Sequence, residues 1–334
     1  MSPDRQLICP LSLRETAVAG SPAKCSCCDE VLPPLYVSEA QGLQPLPIQF
    51  FGLSGHGKTA YLAALTVALQ RVNSVWNGFT ATPATEQSRR LVREANVYFA
   101  SGQLPPPTPL GSKGCFLMLL NRIPKWMKAA LMIRDCSGRA FRDFDVDLQE
   151  ASYLLRAPLT FLFISLKDLQ GGDTIDVLLN DYLDALAAHG VRPELEMKKL
   201  VVVLTKADLL QEELPDDLLQ AVREDRLWQA SQMETEPRWS AVADMDADLG
   251  ALGEISRSIE AWICRRAAGR TLVTLARDRS IEIRFTLVSS TGSAPRAQDN
   301  VLATGWEPSR VLDPLIWALE LNERRIKDMR RYFR

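Results

Sequence analysis

The stretch Gly52-Leu53-Ser54-Gly55-His56-Gly57-Lys58-Thr59 decides the fold. It matches the template GxxxxGK(S/T) without substitution. Before it runs Ile48-Gln49-Phe50-Phe51, a short apolar segment that reads as a buried strand. After it, Leu62, Leu65, Thr66 and Leu69 recur on one helical face. Strand, glycine loop and helix are the setting this template needs. Gly52, Gly55 and Gly57 let the backbone turn so that several N–H groups point into one concavity that suits phosphate oxygens. The helix N-terminus adds its dipole. Lys58 can reach β- and γ-phosphates, and the Thr59 hydroxyl can ligate Mg²⁺. Ser54, His56 and Ala60 complete the candidate phosphate-binding set.

Bulk numbers leave the class ordinary. The chain has 334 residues, 46% hydrophobic and 24% charged, with a net charge of -2. That balance gives no direct nucleic-acid signal and no pull toward an anionic membrane. No run of apolar residues is long enough for a membrane span. The N-terminus lacks the layout of a signal peptide, so a cytoplasmic location is expected. Seven cysteines are then read as reduced or metal-bound rather than disulfide-paired.

Residues 1–45 read as a leader apart from the rest. Cys25 and Cys28 form a CxxC pair, with Cys27 between them and Cys9 upstream. Thiolates at such spacing can staple a segment too short for a core of its own, as in a zinc ribbon. The pattern is incomplete, because a second CxxC would need a cysteine at Ser12. Cys9, Cys25, Cys27 and Cys28 are therefore the candidate Zn²⁺ ligands, against free thiols packed as small hydrophobes. Residues 29–47, rich in proline, read as a linker into the first strand.

Downstream, a helix is expected over 84–101, ended by Gly102. The run Leu104-Pro105-Pro106-Pro107-Thr108-Pro109 must be a stiff extended loop. Thr108 is the candidate switch threonine that closes on Mg²⁺, with Thr80 and Thr82 as competitors. Residues 115–120 and 129–134 read as a hairpin. Its second strand ends in Asp135-Cys136-Ser137-Gly138, a DxxG pattern in which Asp135 can hold Mg²⁺ through water and the Gly138 amide can sense a γ-phosphate.

Residues 158–166 and 200–204 are nearly all apolar, as in parallel strands buried on both faces. The second leads into Thr205-Lys206-Ala207-Asp208, an (N/T)KxD pattern. A carboxylate at Asp208 can accept two hydrogens from guanine, while the Lys206 stem packs on the ring. A wrong base leaves a buried charge unpaired. The acidic run 244–248 reads as a solvated loop between helices. A last strand over 280–288 ends in Ser289-Ser290-Thr291-Gly292, whose backbone can donate to the guanine O6. A final helix spans about 314–327.

Strands and helices alternate, so the expected fold is α/β, a doubly wound, mostly parallel sheet with helices on both faces. The division expected is a zinc-ribbon-like leader with linker over 1–45 and a P-loop GTPase domain with helical insertions over 46–334. The joint order of motifs over residues 46–330 resembles the GTPase class of phosphate-loop NTPases (TRAFAC-like). Within that class the chain resembles the bacterial double-GTPase family of predicted conflict and signalling systems. The words that carry this are Gly57-Lys58-Thr59-Ala60-Tyr61-Leu62-Ala63-Ala64-Leu65, Leu104-Pro105-Pro106-Pro107-Thr108 and Val311-Leu312-Asp313-Pro314-Leu315-Ile316-Trp317, with the cysteine-bearing leader.

The resemblance implies a GTP-binding protein that hydrolyses GTP with Mg²⁺ and acts as a nucleotide-dependent switch. Lys58, Thr108, Gly138 and Arg139 form the candidate catalytic group. Arg139 stands where small GTPases often carry a water-orienting glutamine, and a guanidinium cannot accept from water. Slow or partner-activated hydrolysis follows as the expectation, with an unidentified protein effector or activator and a candidate nucleotide-dependent dimer. Two alternatives stay open: an ATP-using ATPase or kinase, and a nucleotide-stabilised interaction module without turnover.

Overall fold

In the computed structural model, the structure describes residues 6–332 apart from 18–21, 107–113, 136–152, 154–155, 170–173, 189, 194, 210, 233–241, 297 and 299. The leader carries a two-stranded antiparallel ribbon, β1 (Gln6–Ile8) with β2 (Glu15–Ala17), and a one-turn helix α1 (Pro34–Ser38). The strand ahead of the glycine loop, β3 (Gln44–Phe51), is followed by α2 (Lys58–Arg71). Then come β4 (Thr80–Pro83), α3 (Glu86–Ser101), β5 (Phe116–Ile123), β6 (Met127–Asp135) and β7 (Leu159–Ser165). The second half holds α4 (Thr174–Ala188), β8 (Lys199–Thr205), α5 (Asp216–Arg223), α6 (Arg226–Gln232), α7 (Val242–Ile263), α8 (Ala267–Asp278), β9 (Glu282–Val288) and α9 (Asp313–Tyr332).

Seven strands form one sheet in the order β4-β5-β6-β3-β7-β8-β9. β6, β3, β7, β8 and β9 run parallel, and β4 and β5 join antiparallel at one edge. The α/β expectation holds, with the sheet mixed at that edge.

Alternation along the strands sorts the core. Ile48, Phe50, Leu131, Ile133, Phe161 and Val203 face α2 and α9. Phe51, Leu162, Ile164, Val202 and Leu204 face α4, α7 and α8. The opposite face of β5 and β6 carries Leu117, Leu119, Ala130 and Met132, and the leader covers it through Leu7, Leu13 and Tyr36.

Two expectations are corrected. Residues 29–47 are not a plain linker, because they contain α1 and the first half of β3. Pro45 and Pro47 are tolerated in this central strand for a geometric reason. β7 pairs with β3 only from Ile48 onward, and the Pro45 carbonyl accepts from Asn322 Nδ2 of α9 at 3.1 Å. That edge of β3 faces a helix, so its missing N–H groups break no ladder. The acidic run 244–248 is not a loop, since it lies in the first turns of α7. Met245 is buried there, and burial pushes the Asp248 carboxyl up to about 6.

Candidate functional site

An aromatic cluster fixes the glycine loop between strand and helix. Phe50 of β3 lies 4.9 Å from Phe163 and 5.5 Å from Phe161, ring centre to ring centre. Tyr61, in the first turn of α2, meets Phe163 edge-on at 5.2 Å. Each such pair adds about 0.5–1.5 kcal/mol beyond area burial. The loop backbone must then turn sharply. Gly55 and Gly57 have φ of 84° and 81°, left-handed conformations that cost a side chain energy. Gly52 is tight as well as left-handed: a Cβ there would lie 2.6 Å from Phe163 O.

Side chains of β8, of the turn after β7 and of the loop itself hold this loop in place. Thr205, the last residue of β8, donates from Oγ1 to His56 O at 2.9 Å and toward Ile164 O at 3.3 Å. The His56 ring is buried. Its Nδ1 donates to Phe163 O at 2.8 Å, and its Nε2 lies 2.7 Å from Asp168 Oδ2 in the 3-10 turn after β7. Burial draws the imidazole pKa below its ordinary value, with Lys58 and Lys206 acting in the same sense; Phe163 O and Asp168 oppose them. Both ring nitrogens face oxygen acceptors, which fixes the orientation of the ring. His56 therefore anchors the loop through its side chain and offers the concavity its backbone. Lys58 Nζ donates to Gly52 O at 2.7 Å and to Leu53 O at 3.0 Å, which keeps the ammonium at the loop. Ser54 and Gly55 are exposed at its rim.

The guanine-type motif converges on the same edge of the sheet. Lys206 follows β8 with a left-handed φ of 62°, and Asp208 sits in the 3-10 turn Ala207–Leu209. Ser289, 81 positions away at the end of β9, donates from Oγ to Asp208 Oδ1 at 2.6 Å. Gly292 N donates to that Ser289 oxygen at 2.9 Å, so the hydroxyl proton is directed to the carboxylate. Ser290 is buried, and its hydroxyl makes no hydrogen bond among the described residues. Ser289 is also paired both ways with Ser309, by backbone bonds of 3.1 and 2.8 Å. Its continuation reaches the root of the proline-rich loop. Leu302 N donates to Gly102 O at 2.8 Å, and Trp306 Nε1 to Gln103 O at 3.1 Å.

Oxygen donors suited to a hard cation lie beside the loop. Thr59, and Asp135 at the end of β6, line one cavity of about 210 Å³. Pro105, Pro106 and Gly114, on the two sides of the segment that contains Thr108, line it too. A hydroxyl and a carboxylate facing a common space fit Mg²⁺ chemistry. Thr108, Gly138 and Arg139 lie outside the described residues. Thr80 and Thr82 are on the edge strand β4, with β5 and β6 between them and β3.

The expected gathering at one sheet edge is thus seen for the phosphate loop, Asp135, Thr205–Asp208 and Ser289, each at the C-terminal end of a parallel strand. Sequence reasoning missed Asp168, which carries no motif. It also missed the side-chain role of Ser289, for which only the backbone was expected to act.

In the leader, the Sγ atoms of Cys9, Cys25 and Cys28 lie within 4.8 Å of one another, and Cys27 is exposed outside the group. No helix among the described residues is long and apolar enough to cross a membrane.

No curated protein matches this sequence. Among solved structures, the bacterial selenocysteine-specific elongation factor EF-Sec aligns with 64% of this chain at 14% identity and a TM-score of 0.27. The match spans 29% of that structure's chain. The model of one family, Double-GTPase 2, matches residues 46–263, from the middle of β3 to the end of α7. The chain belongs to the Double-GTPase 2 family.

Proposed function

We propose that this chain binds GTP with Mg²⁺, hydrolyses it slowly or with a partner's help, and acts as a nucleotide-dependent switch. Family membership supports GTP binding. The observation that carries the base assignment is the Ser289–Asp208 hydrogen bond of 2.6 Å. It aims a carboxylate from the end of β8, one turn from the loop that Thr205 holds. A fixed carboxylate accepts both hydrogens of guanine N1 and its exocyclic amine, and adenine presents no such pair. The Lys206 stem covers the ring.

The loop amides between Gly52 and Thr59 would receive the phosphate oxygens, and Lys58 would turn from Gly52 O and Leu53 O to the β- and γ-phosphates. Thr59, Thr108 and Asp135 would hold the metal, which supplies charge neutralisation on the phosphates. Thr108 and Gly138 would register the γ-phosphate, so that the segments around them order with GTP and relax after hydrolysis. Arg139 would neutralise charge in the transition state rather than orient water. The resemblance to double-GTPases of bacterial conflict and signalling systems supports a role in such a system, with an effector still to be identified. The zinc-ribbon-like leader over 1–45 and the GTPase domain over 46–334 would then work as one body.

The test is equilibrium binding of GTP and ATP side by side, followed by single-turnover hydrolysis. At least tenfold preference for GTP is expected, since each 1.4 kcal/mol of base discrimination is tenfold. Equal affinity, or preference for ATP, overturns the base assignment. GTP that is held but never hydrolysed, with or without neighbouring gene products, leaves an interaction module instead.

A further inference from the structure

The leader contains two turns of the same build. In the first, Leu13 N donates to Cys9 O at 2.9 Å and Cys9 N to Arg14 O at 2.9 Å. In the second, Asp29 N donates to Cys25 O at 2.9 Å and Cys25 N to Glu30 O at 2.9 Å. The fifth residue of each turn is left-handed, with φ of 52° at Leu13 and 56° at Asp29. Cys9-Pro10-Leu11-Ser12 therefore corresponds residue for residue to Cys25-Ser26-Cys27-Cys28. Ser12 stands at the position of Cys28, and Leu11 at the position of Cys27.

The side chains follow that pairing. Cys9 Sγ lies 3.7 Å from Cys28 Sγ, and Ser12 Oγ lies 3.8 Å from Cys25 Sγ. A tetrahedron with metal–sulfur bonds of about 2.3 Å has edges of about 3.8 Å. The Cys9–Cys28 and Ser12–Cys25 separations match that edge, and the three sulfurs lie within 4.8 Å of one another. Cys27 is turned away, with its Sγ near Glu15 O at 4.0 Å and Ser26 Oγ at 3.9 Å. Of the adjacent pair Cys27 and Cys28, only Cys28 joins the group.

We propose that Cys9, Cys25 and Cys28 bind one Zn²⁺ as thiolates, with the Ser12 hydroxyl at a weak fourth corner and Cys27 outside the site. Three thiolates and one neutral oxygen leave the fourth position exchangeable, unlike a closed four-thiolate structural site. The site is joined to the rest of the chain, because Arg156 Nη1 donates to Ser12 O at 3.2 Å, and within the leader Tyr36 Oη donates to Ile8 O at 2.8 Å.

The test uses the full chain, stripped of metal and titrated with Co²⁺ and then Zn²⁺, with visible and near-ultraviolet absorption as the readout. One equivalent of Co²⁺ is expected, with thiolate charge-transfer intensity of three sulfurs. Cys27→Ser is expected to leave spectrum and affinity unchanged. Ser12→Cys is expected to raise charge-transfer intensity by about a third and tighten binding by about tenfold or more, as a fourth thiolate joins. Cys28→Ser is expected to lose binding. These readouts need no nucleotide, so they stand or fall apart from GTP binding. The absence of a thiolate-bound metal overturns the proposal. Weakening by Cys27→Ser overturns it as well, and an unchanged spectrum in Ser12→Cys removes Ser12 from the site. If Cys28→Ser does not fold, Cys27→Ser and Ser12→Cys still decide between these outcomes, since both leave the three thiolates intact.

Discussion

Replacing Thr205 by valine removes one hydroxyl and nearly nothing else. The side chain is buried, and its hydroxyl ties the end of β8 to His56 O in the middle of the glycine loop. Taking a donor from a buried acceptor costs about 1–3 kcal/mol. If that cost falls wholly on the loop shape that receives phosphate, GTP affinity drops about 5- to 150-fold, at 1.4 kcal/mol per tenfold. Valine keeps the branched shape, so Gly57, whose added Cβ would meet Thr205 at 3.7 Å, is not crowded. Thr205→Ser keeps the hydroxyl and loses a methyl group, at a cost of about 1 kcal/mol in packing. Serine should therefore lower thermal stability slightly and leave GTP binding near wild type. The assay is titration with a fluorescent GTP analogue, run beside thermal denaturation. Valine binding within twofold of wild type, or serine as weak as valine, would refute the idea that this hydroxyl sets the loop.

Three further outcomes follow from the same geometry. Lys58→Ala should weaken triphosphate binding by about a hundredfold or more, because charge-assisted hydrogen bonds are worth about 1.5–3 kcal/mol each; near-normal affinity in a binding titration would contradict it. A chain lacking residues 1–41 would expose Leu117, Leu119, Ala130 and Met132, and is expected to aggregate in size-exclusion chromatography; a monomer that melts with the full chain would count against it. The third concerns Asp313, where burial, with Asp225 and Asp248 nearby, outweighs the pull of Arg310 and pushes the carboxyl from 3.8 to about 7. The fold then binds a proton that the unfolded chain has released, so stability is full below about 4 and is lost as pH rises through 7. At about 1.36 kcal/mol per pH unit the loss is roughly 4 kcal/mol, and Asp313→Asn should flatten it; melting curves from pH 5 to 8.5 with equal slopes for both chains would contradict this.

Much of the site was legible because its motifs are local. The phosphate loop needs glycines and a lysine at fixed offsets, and its strand and helix announce themselves by apolar pattern. Asp208 was readable at the end of a buried strand. Its partner was not, since Ser289 meets it only after β8 and β9 pair side by side. Asp168 was invisible for a similar reason: one carboxylate in a short turn finds His56 only through the β3–β7 pairing. Pro45 and Pro47 hid the first half of the central strand, because a proline reads as a break unless one knows that its edge faces Asn322 instead of a strand. The acidic run 244–248 misled in the opposite direction. Charge suggested a solvated loop, while Met245 turns inward and the segment is helical. In the leader, cysteine spacing pointed to a metal but could not choose among four thiols; the repeated turn separates Cys27 from the rest.

Asp208, held by Ser289, is the proposed reader of guanine. The direct measurement is competition among GTP, ATP and XTP for wild type and Asp208→Asn. Wild type should prefer GTP, and the variant should lose about 2 kcal/mol or more toward GTP, in keeping with a hydrogen bond to a charged group. It should also gain toward XTP, whose carbonyl accepts from the new amide. A variant with unchanged preference among the three nucleotides would contradict the account, because Asp208 would then not touch the base.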